Sequence, residues 1–172
     1  MAVNQTCDDL LSFATTGVHG PSQFVDLNHA VAQAMQNLEP PLRASGAVVT
    51  VARMPIVHSN EIHLIRHFQN LISNSMKYRA EDPVEIHVSA ERHGADWVTK
   101  IADNGLGLAL ENQTRVFMSF IGLASRDVLG TGLDLAVCKK VVEGLGGTIW
   151  VESELAAGST FCFTIEAPGK GL

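Results

Sequence analysis

The sequence is poor in cysteine, in export signals and in long apolar stretches. Its three cysteines, Cys7, Cys138 and Cys162, are far apart and odd in number, which fits reduced thiols better than a disulfide framework or a zinc site. No apolar run reaches the roughly 20 residues of a membrane-spanning helix, and the N-terminus lacks the basic and apolar regions of a signal peptide. We therefore expect a cytoplasmic location and no membrane contact by this fragment.

Positive charge is also scarce. The 172 residues carry a formal net charge of -6, with 46% hydrophobic and 17% charged residues, which is typical of a globular domain rather than a disordered one. The negative balance argues against a general nucleic-acid binder. A polyanionic ligand would therefore need local positive charge, backbone N–H groups or a metal.

Apolar periodicity predicts alternating strands and helices. The expected order places helices in a layer on one face of a mixed sheet. One helix is expected to begin at Asn28, with Val31, Met35 and Leu38 facing inward. The predicted strands are 24–26, 48–54, 84–90, 97–102, 148–153 and 159–165, and the predicted helices are 28–43, 60–78 and 133–145.

The two ends of the chain are expected to lie outside the main domain. Residues 1–20 contain a short apolar helical pattern that Gly17, Gly20 and Pro21 would end. They fit the stump of a preceding helix and a linker, and a disordered leader fits the composition equally well. The domain itself is predicted to cover 21–168, followed by a tail at 169–172.

One face of the 60–78 helix carries chemistry. Asn70, Asn74 and Lys77 stand at i, i+4 and i+7, so they share a face, and His67 is expected to extend that polar face upstream. An Asn oxygen can bind Mg²⁺ and a Lys suits phosphate, although a polar helix face alone is usually only solvated. The opposite, inward stripe is predicted to be Ile62, Ile65, Phe68, Leu71, Ile72 and Met76.

Two glycine-containing motifs flank a long irregular stretch. Asp103–Leu108 follows a strand, so its carboxylate could accept from an amine, and its glycines allow close backbone approach. Gly130–Leu135 opens a helix, where free N–H groups and the helix dipole favour phosphate. Each motif alone also fits an ordinary turn. The irregular stretch 103–132 runs from the first motif into the second, and its length predicts a functional lid.

Taken together, these segments resemble the boxes of sensor histidine kinases. The resemblance covers about residues 24–165 and places the chain with the ATP-binding catalytic domains of the gyrase, chaperone, histidine kinase and MutL superfamily. The sequence Ile149–Ser153 and the short lid favour the bacteriophytochrome subgroup. The matching segments are 70–78 (asparagine box), 103–108 (first glycine box), 116–120 (phenylalanine box) and 130–135 (second glycine box).

The resemblance implies a fold and two cofactors. The fold would be of the α+β class, a two-layer α/β sandwich with a mixed, mostly antiparallel sheet and helices on one face (the Bergerat-type ATP-binding fold). The cofactors would be ATP and Mg²⁺. Asp103 would accept from the adenine amine, with Thr160 and Gly107 supporting it through water. Asn74 would bind Mg²⁺, and Lys77 would neutralise phosphate charge.

The remaining site residues also follow from the resemblance. Tyr78 would pack near the sugar and base, and Phe117 and Phe120 would anchor the lid. Arg126 fits a γ-phosphate contact and a solvated loop residue equally well. Ser75 replaces the usual Ala and is expected to matter little. The other nucleotide-binding positions would be Asn70, Gly105, Leu108, Gly130, Thr131, Gly132 and Leu133.

Asn70 separates two reaction classes, and with Lys77 it is a predicted catalytic residue. Related ATPases carry at this position a Glu that activates water, and an amide cannot act as a general base near neutral pH. Hydrolysis should therefore be slow, and the resemblance implies phosphoryl transfer to a histidine on a separate dimerisation domain. In this family the accepting histidine is followed by an acidic residue within a long amphipathic helix, and none of the seven histidines of this chain lies in such a context. The fragment is therefore expected to be monomeric, unable to autophosphorylate alone, and linked to a response regulator through that missing domain.

Asp134 departs from the family pattern, which usually has Gly there. Its side chain could point away without effect, could weaken ATP binding by repelling the triphosphate, or could add a metal contact. The second of these motivates an alternative function, a degenerate nucleotide-binding or scaffolding module. An ATPase or a serine-directed anti-sigma kinase of the same fold is a third possibility, which Asn70 and the C-terminal sequence argue against.

Overall fold

The main sheet has five strands in the order 48–51, 85–93, 96–103, 158–166 and 149–154, and a separate two-stranded ribbon is formed by 23–26 and 56–59. The computed structural model describes residues 21–80, 83–118 and 133–168. The elements are β1 (Gln23–Asp26), α1 (Leu27–Asn37), α2 (Glu39–Ser45), β2 (Val48–Val51), β3 (Ile56–Ser59), α3 (Glu61–Lys77), β4 (Glu85–His93), β5 (Asp96–Asp103), α4 (Leu133–Gly144), β6 (Ile149–Glu154) and β7 (Gly158–Glu166).

The sheet is mixed and mostly antiparallel. β2 pairs parallel with β4, whereas β4–β5, β5–β7 and β7–β6 are antiparallel. Along β4, Ile86 and Val88 are buried while Glu85 and His87 are exposed, which is the alternation of a sheet with one covered face. The helices α1, α3 and α4 pack beside one another, and α3 and α4 also contact the sheet. The predicted α+β, two-layer fold is confirmed.

The core lies between this helical layer and the inner face of the sheet. Phe68, Leu71 and Ile72 of α3 and Ile101 and Phe163 of the sheet are fully buried. Burying a side chain of this size contributes about 1.5–3 kcal/mol each. The position of α3 on the sheet is thus fixed by packing, which matters because α3 carries the asparagine motif.

The predicted single helix over 28–43 is wrong. α1 ends at Asn37 and α2 begins at Glu39 with Pro in its first turn. A Pro has no N–H and clashes with the preceding turn, so it is tolerated at a helix start but not inside a helix. The start differs as well, because Asp26, not Asn28, caps α1 by accepting a hydrogen bond from the Asn28 N–H at 2.9 Å.

The β1–β3 ribbon was not predicted. β2 ends at Val51 instead of continuing to residue 54, and β3 follows Pro55 as a separate strand that pairs antiparallel with β1. Asn28 fixes this connection. Its side-chain amide donates to the Met54 carbonyl and accepts from the Met54 N–H, both at 3.0 Å. The ribbon is therefore tied directly to the start of α1.

The buried stripe of α3 differs from the predicted one. Ile62 is 76% exposed, whereas Leu64 and His67 are only 1% and 2% exposed. Asn74 is also buried, so the asparagine face is not on the opposite, solvent side of the helix. It turns partly inward, toward the end of β5.

Among the described residues, no helix has the length and apolarity needed to cross a bilayer.

Candidate functional site

The carboxylate of Asp103, at the end of β5, is held by three elements. One oxygen, Oδ1, accepts from the N–H of Gly105 at 2.9 Å and from the N–H of Ser159 at 3.2 Å. The other, Oδ2, accepts from the hydroxyl of Ser75 at 2.9 Å. The donors come from the turn after β5, from β7 and from α3. The orientation of this side chain is therefore determined by the fold.

Among the described residues, these contacts leave Asp103 with one open acceptor position. A carboxylate oxygen can accept about two hydrogen bonds, so Oδ1 is filled and Oδ2 has room for one more donor. Burial raises the pKa of Asp103, and the hydrogen bonds from Gly105, Ser75 and Ser159 oppose that rise by stabilising the charged form. A partly buried carboxylate with one free acceptor position is suited to a single N–H donor of a ligand.

The two glycines after Asp103 are required by the protein's own backbone. A Cβ at Gly105 would lie 2.5 Å from the Tyr78 carbonyl oxygen, and one at Gly107 would overlap with the carbonyl of Glu154. Gly107 also has φ of +71°, a conformation that favours glycine. The Leu106 N–H donates to the Tyr78 carbonyl at 3.0 Å. The turn is thus pressed against the end of α3.

The same turn is fixed from the side of the β6–β7 hairpin. The Leu108 N–H donates to the Ser153 hydroxyl at 2.7 Å, and the Ser153 hydroxyl also contacts that of Ser159 at 2.8 Å. Ser159 in turn holds Asp103. The first glycine motif, the end of α3 and the hairpin therefore form one rigid unit around the Asp103 carboxylate.

The predicted asparagine face lies beside this unit. Asn74 is 7% exposed, and no other described residue hydrogen-bonds its side-chain amide. Asn70 and Lys77 are half-buried on the same helix face. Tyr78, the residue directly after α3, is half-buried, and its carbonyl accepts from the Leu106 N–H in the turn after Asp103. The buried polar atoms without a partner among the described residues do not include those of Asn74, so its amide is accessible to solvent and to a ligand.

Part of the predicted lid is described. Two short 3-10 turns, Leu110–Asn112 and Arg115–Phe117, follow the glycine motif. Phe117 is buried, and its ring packs edge-to-face on that of Phe161 with 6.1 Å between centroids. Phe120, Arg126 and Gly130–Gly132 lie outside the described residues, as do the side chains of Leu133 and Asp134. α4 itself begins at Leu133.

The structure favours Ser159 over Thr160 as the partner of Asp103. In the β5–β7 register Ser159 lies opposite Asp103, whereas Thr160 lies opposite Ala102. Successive strand residues point to opposite faces, so the Thr160 side chain faces away from α3. The sequence could have indicated Ser159, because the residue directly after the turn glycine Gly158 pairs with the end of β5. Ser75 is the second residue whose contact with Asp103 the sequence did not predict.

Comparison with known proteins identifies the family of this chain. The family model described as histidine kinase-, DNA gyrase B-, and HSP90-like ATPase matches residues 59–169, more than half of the chain. The chain belongs to this family. The resemblance to ATP-binding catalytic domains of histidine kinases, drawn from the sequence motifs, is thereby confirmed. ATP binding is consistent with membership of this ATPase family.

The similar proteins are phytochromes and histidine kinases. Cyanobacterial phytochrome A of Nostoc sp. is 38% identical over 95% of this kinase-type domain, and phytochrome-like protein Cph1 of Synechocystis sp. is 38% identical over 92%. The domain spans only about a fifth of these relatives, 22% and 21% of their lengths. Among solved structures, full-length ShkA in complex with AMPPNP matches with a TM-score of 0.77 at 25% identity, over 92% of this chain and 34% of that one.

Proposed function

We propose that this domain binds Mg-ATP and donates the γ-phosphoryl group to a histidine on a dimerisation domain outside this chain. The observation that carries the proposal is the Asp103 carboxylate, held by three donors with one acceptor position left. That position suits the exocyclic amine of adenine. A 6-carbonyl group of another purine would meet a negatively charged acceptor instead of a donor, and would be disfavoured.

The phosphate end of the nucleotide would lie along α3 toward α4. Asn74, whose amide has no partner among the described residues, would bind the metal, and Lys77 in the last turn of α3 would contact phosphate. α4 packs against α3 and presents the positive end of its dipole at Leu133. Mg²⁺, when bound, would neutralise phosphate charge.

Asn70 directs the reaction to transfer rather than hydrolysis. It lies one turn before Asn74 on α3, where an amide can position a group but cannot remove a proton from water near neutral pH. Catalysis by Asn70 and Lys77 would then rest on orientation and charge neutralisation. The phosphoryl group would pass to the dimerisation domain and from there to a response regulator, and the isolated chain would remain monomeric and cytoplasmic.

A second candidate function is a degenerate nucleotide-binding module. It is motivated by Asp134, a carboxylate in the first turn of α4 where phosphate would lie. A carboxylate and a triphosphate carry like charge and repel each other, so the substitution could reduce ATP affinity below a useful level. The two functions differ in whether the chain binds nucleotide at physiological concentration.

Calorimetric titration with the non-hydrolysable analogue AMP-PNP, with and without Mg²⁺, tests this proposal. We expect micromolar to sub-millimolar binding that requires Mg²⁺, and tighter binding by Asp134→Gly. No binding by a folded sample at millimolar analogue would overturn the kinase proposal. If Asp134→Gly alone restored binding, the degenerate module would be favoured. Rapid ATP hydrolysis by the isolated chain would instead favour an ATPase.

A further inference from the structure

We propose that Ser75 is a specificity-determining residue of the adenine site, because its hydroxyl fixes the plane of the Asp103 carboxylate that reads the base amine. This inference rests on the proposed function and deepens it. Ser75 touches Asp103 rather than the phosphates, so it would act on the base end of the nucleotide alone. It was expected from the sequence to matter little, and its environment argues the opposite.

The position of Ser75 leaves its hydroxyl few alternatives. The residue is 1% exposed, so water does not compete for the hydroxyl as it would at the surface. Two acceptors are within reach, Asp103 Oδ2 at 2.9 Å and the Leu71 carbonyl at 3.3 Å. A hydroxyl has one proton to donate, and the shorter contact to a charged acceptor is the stronger one. The hydroxyl is therefore directed at the carboxylate.

The contact matters because of where it lies on the carboxylate. The N–H groups of Gly105 and Ser159 both bind Oδ1, so without Ser75 the side chain would be held by one oxygen only. The terminal torsion of Asp is soft, and the carboxylate could then rotate about that attachment. Ser75 holds the second oxygen, and its removal would leave Oδ2 less well placed for a ligand amine.

Ser75 also sets how many donors Oδ2 can take. With its hydroxyl bound, one acceptor position remains on Oδ2. An alanine would leave two positions and add no polar group to satisfy them. The adenine amine would then meet a more mobile acceptor in which water could occupy the second position. The expected result is weaker and less selective recognition of the 6-amino group.

The test compares two ligands that differ only in that amino group. ADP and purine riboside 5′-diphosphate, which has hydrogen at position 6, are titrated by calorimetry into the wild type and Ser75→Ala in the presence of Mg²⁺. We expect Ser75→Ala to weaken ADP binding about five- to tenfold, the size of effect for loss of one typical hydrogen bond. Binding of the analogue should change less than about twofold.

The control is Ser73→Ala, the same substitution on the same helix, about 200° around its axis from Ser75. It should leave both affinities unchanged, and thermal unfolding verifies that each variant is folded. Equal weakening of both ligands by Ser75→Ala would indicate a general structural effect and overturn the inference. So would unchanged ADP binding.

The result also separates this inference from the proposed function. If the wild type binds ADP but Ser75→Ala binds it equally well, only the role of Ser75 is wrong. If the wild type binds neither nucleotide in a folded sample, the proposed function fails and this inference fails with it. If the wild type binds ADP and the analogue equally, Asp103 does not read the amine, and the inference is overturned.

Discussion

The imidazole of His67 meets the ring of Phe163 edge-on, with 4.3 Å between centroids and an interplanar angle of 82°. His67 belongs to α3 and Phe163 to β7. The contact therefore joins the helix of the asparagine motif to the strand whose Ser159 N–H donates to Asp103. Both ring nitrogens of His67 are buried without a hydrogen-bond partner among the described residues. The imidazole is thus packed as an apolar ring, and burial lowers its pKa to about 3.

The first prediction is that the buried, neutral imidazole of His67 makes the domain less stable in mild acid. The unfolded chain binds a proton at His67 below about pH 6.5, whereas the folded chain does not until about pH 3. The unfolded state therefore binds more protons between these values, and stability falls as the pH is lowered. The expected loss from this group approaches about 1.4 kcal/mol per pH unit well below pH 6.5.

Denaturant unfolding between pH 7.5 and 5 measures this dependence. His67→Leu should remove much of the slope, because an apolar side chain has no proton to bind. His63→Leu, the same substitution one turn earlier on α3, should leave the slope in place. If the wild type and His67→Leu showed the same pH dependence, the imidazole would not be buried as a neutral ring.

The second prediction concerns Gly158, at the start of β7. It has φ of +88°, and a Cβ there would overlap with the Asp103 carbonyl. Gly158→Ala should therefore cost about 3 kcal/mol or more, since both the backbone strain and the clash must be relieved.

Gly46 provides the matched control. It has φ of +67°, but a Cβ there meets nothing within 4 Å. Gly46→Ala should cost only the left-handed backbone strain, about 1 kcal/mol. Equal losses in the two variants, measured by denaturant unfolding, would show that the close approach to Asp103 has no energetic importance.

The third prediction concerns the anchor of the lid. Phe117→Ala removes a buried ring that packs on Phe161, and should lower the free energy of unfolding by about 3 kcal/mol. Met118→Ala, at the next residue, removes an exposed side chain and should change it by no more than about 0.5 kcal/mol. Thermal or denaturant unfolding of the two variants compares them, and similar values would argue against Phe117 as an anchor.

The fourth prediction concerns Asp103 itself. Asp103→Asn keeps the shape of the side chain but replaces one carboxylate oxygen with an NH2 donor. Three protein donors and the base amine all require an acceptor there, so ADP affinity should fall about 10- to 100-fold. Asp96→Asn makes the same change at the other end of β5 and should bind as the wild type does. Calorimetry distinguishes them. Full retention of ADP binding by Asp103→Asn would contradict the proposed adenine contact.

Several parts of the fold could be predicted because local chemistry and tertiary packing agree. α3 has a strong apolar period and a capping Asn60, and its bounds lie within one residue of the predicted ones. The alternation in β4 identified its buried face. The motifs were recognised by their resemblance to the histidine kinase boxes, and in the structure Ser75 and Tyr78 bring the asparagine motif against the first glycine motif at Asp103.

Other parts depended on tertiary contacts that periodicity does not reveal. His67 reads as polar, yet the aromatic ring of Phe163 makes its site apolar. β3 has four residues, too few for a reliable alternation, and it exists because β1 pairs with it. The break between α1 and α2 follows from Pro40 and Pro41, which a helix tolerates at its start and not in its interior. Ser75 and Ser159 gain their importance only when α3, β5 and β7 meet.

The Asp103 contact with Ser159 has a consequence for how the domain assembles. The two residues are 56 positions apart in the chain, so the carboxylate cannot acquire its full set of donors until the last strand has joined the sheet. Closing so long a segment costs conformational entropy, so we expect this contact to form after the local turns and hairpins. The Ser159 amide should therefore exchange its hydrogen with solvent only when the whole domain opens. A truncated or nascent chain that lacks β7 would hold α3 and still have no base-recognition site.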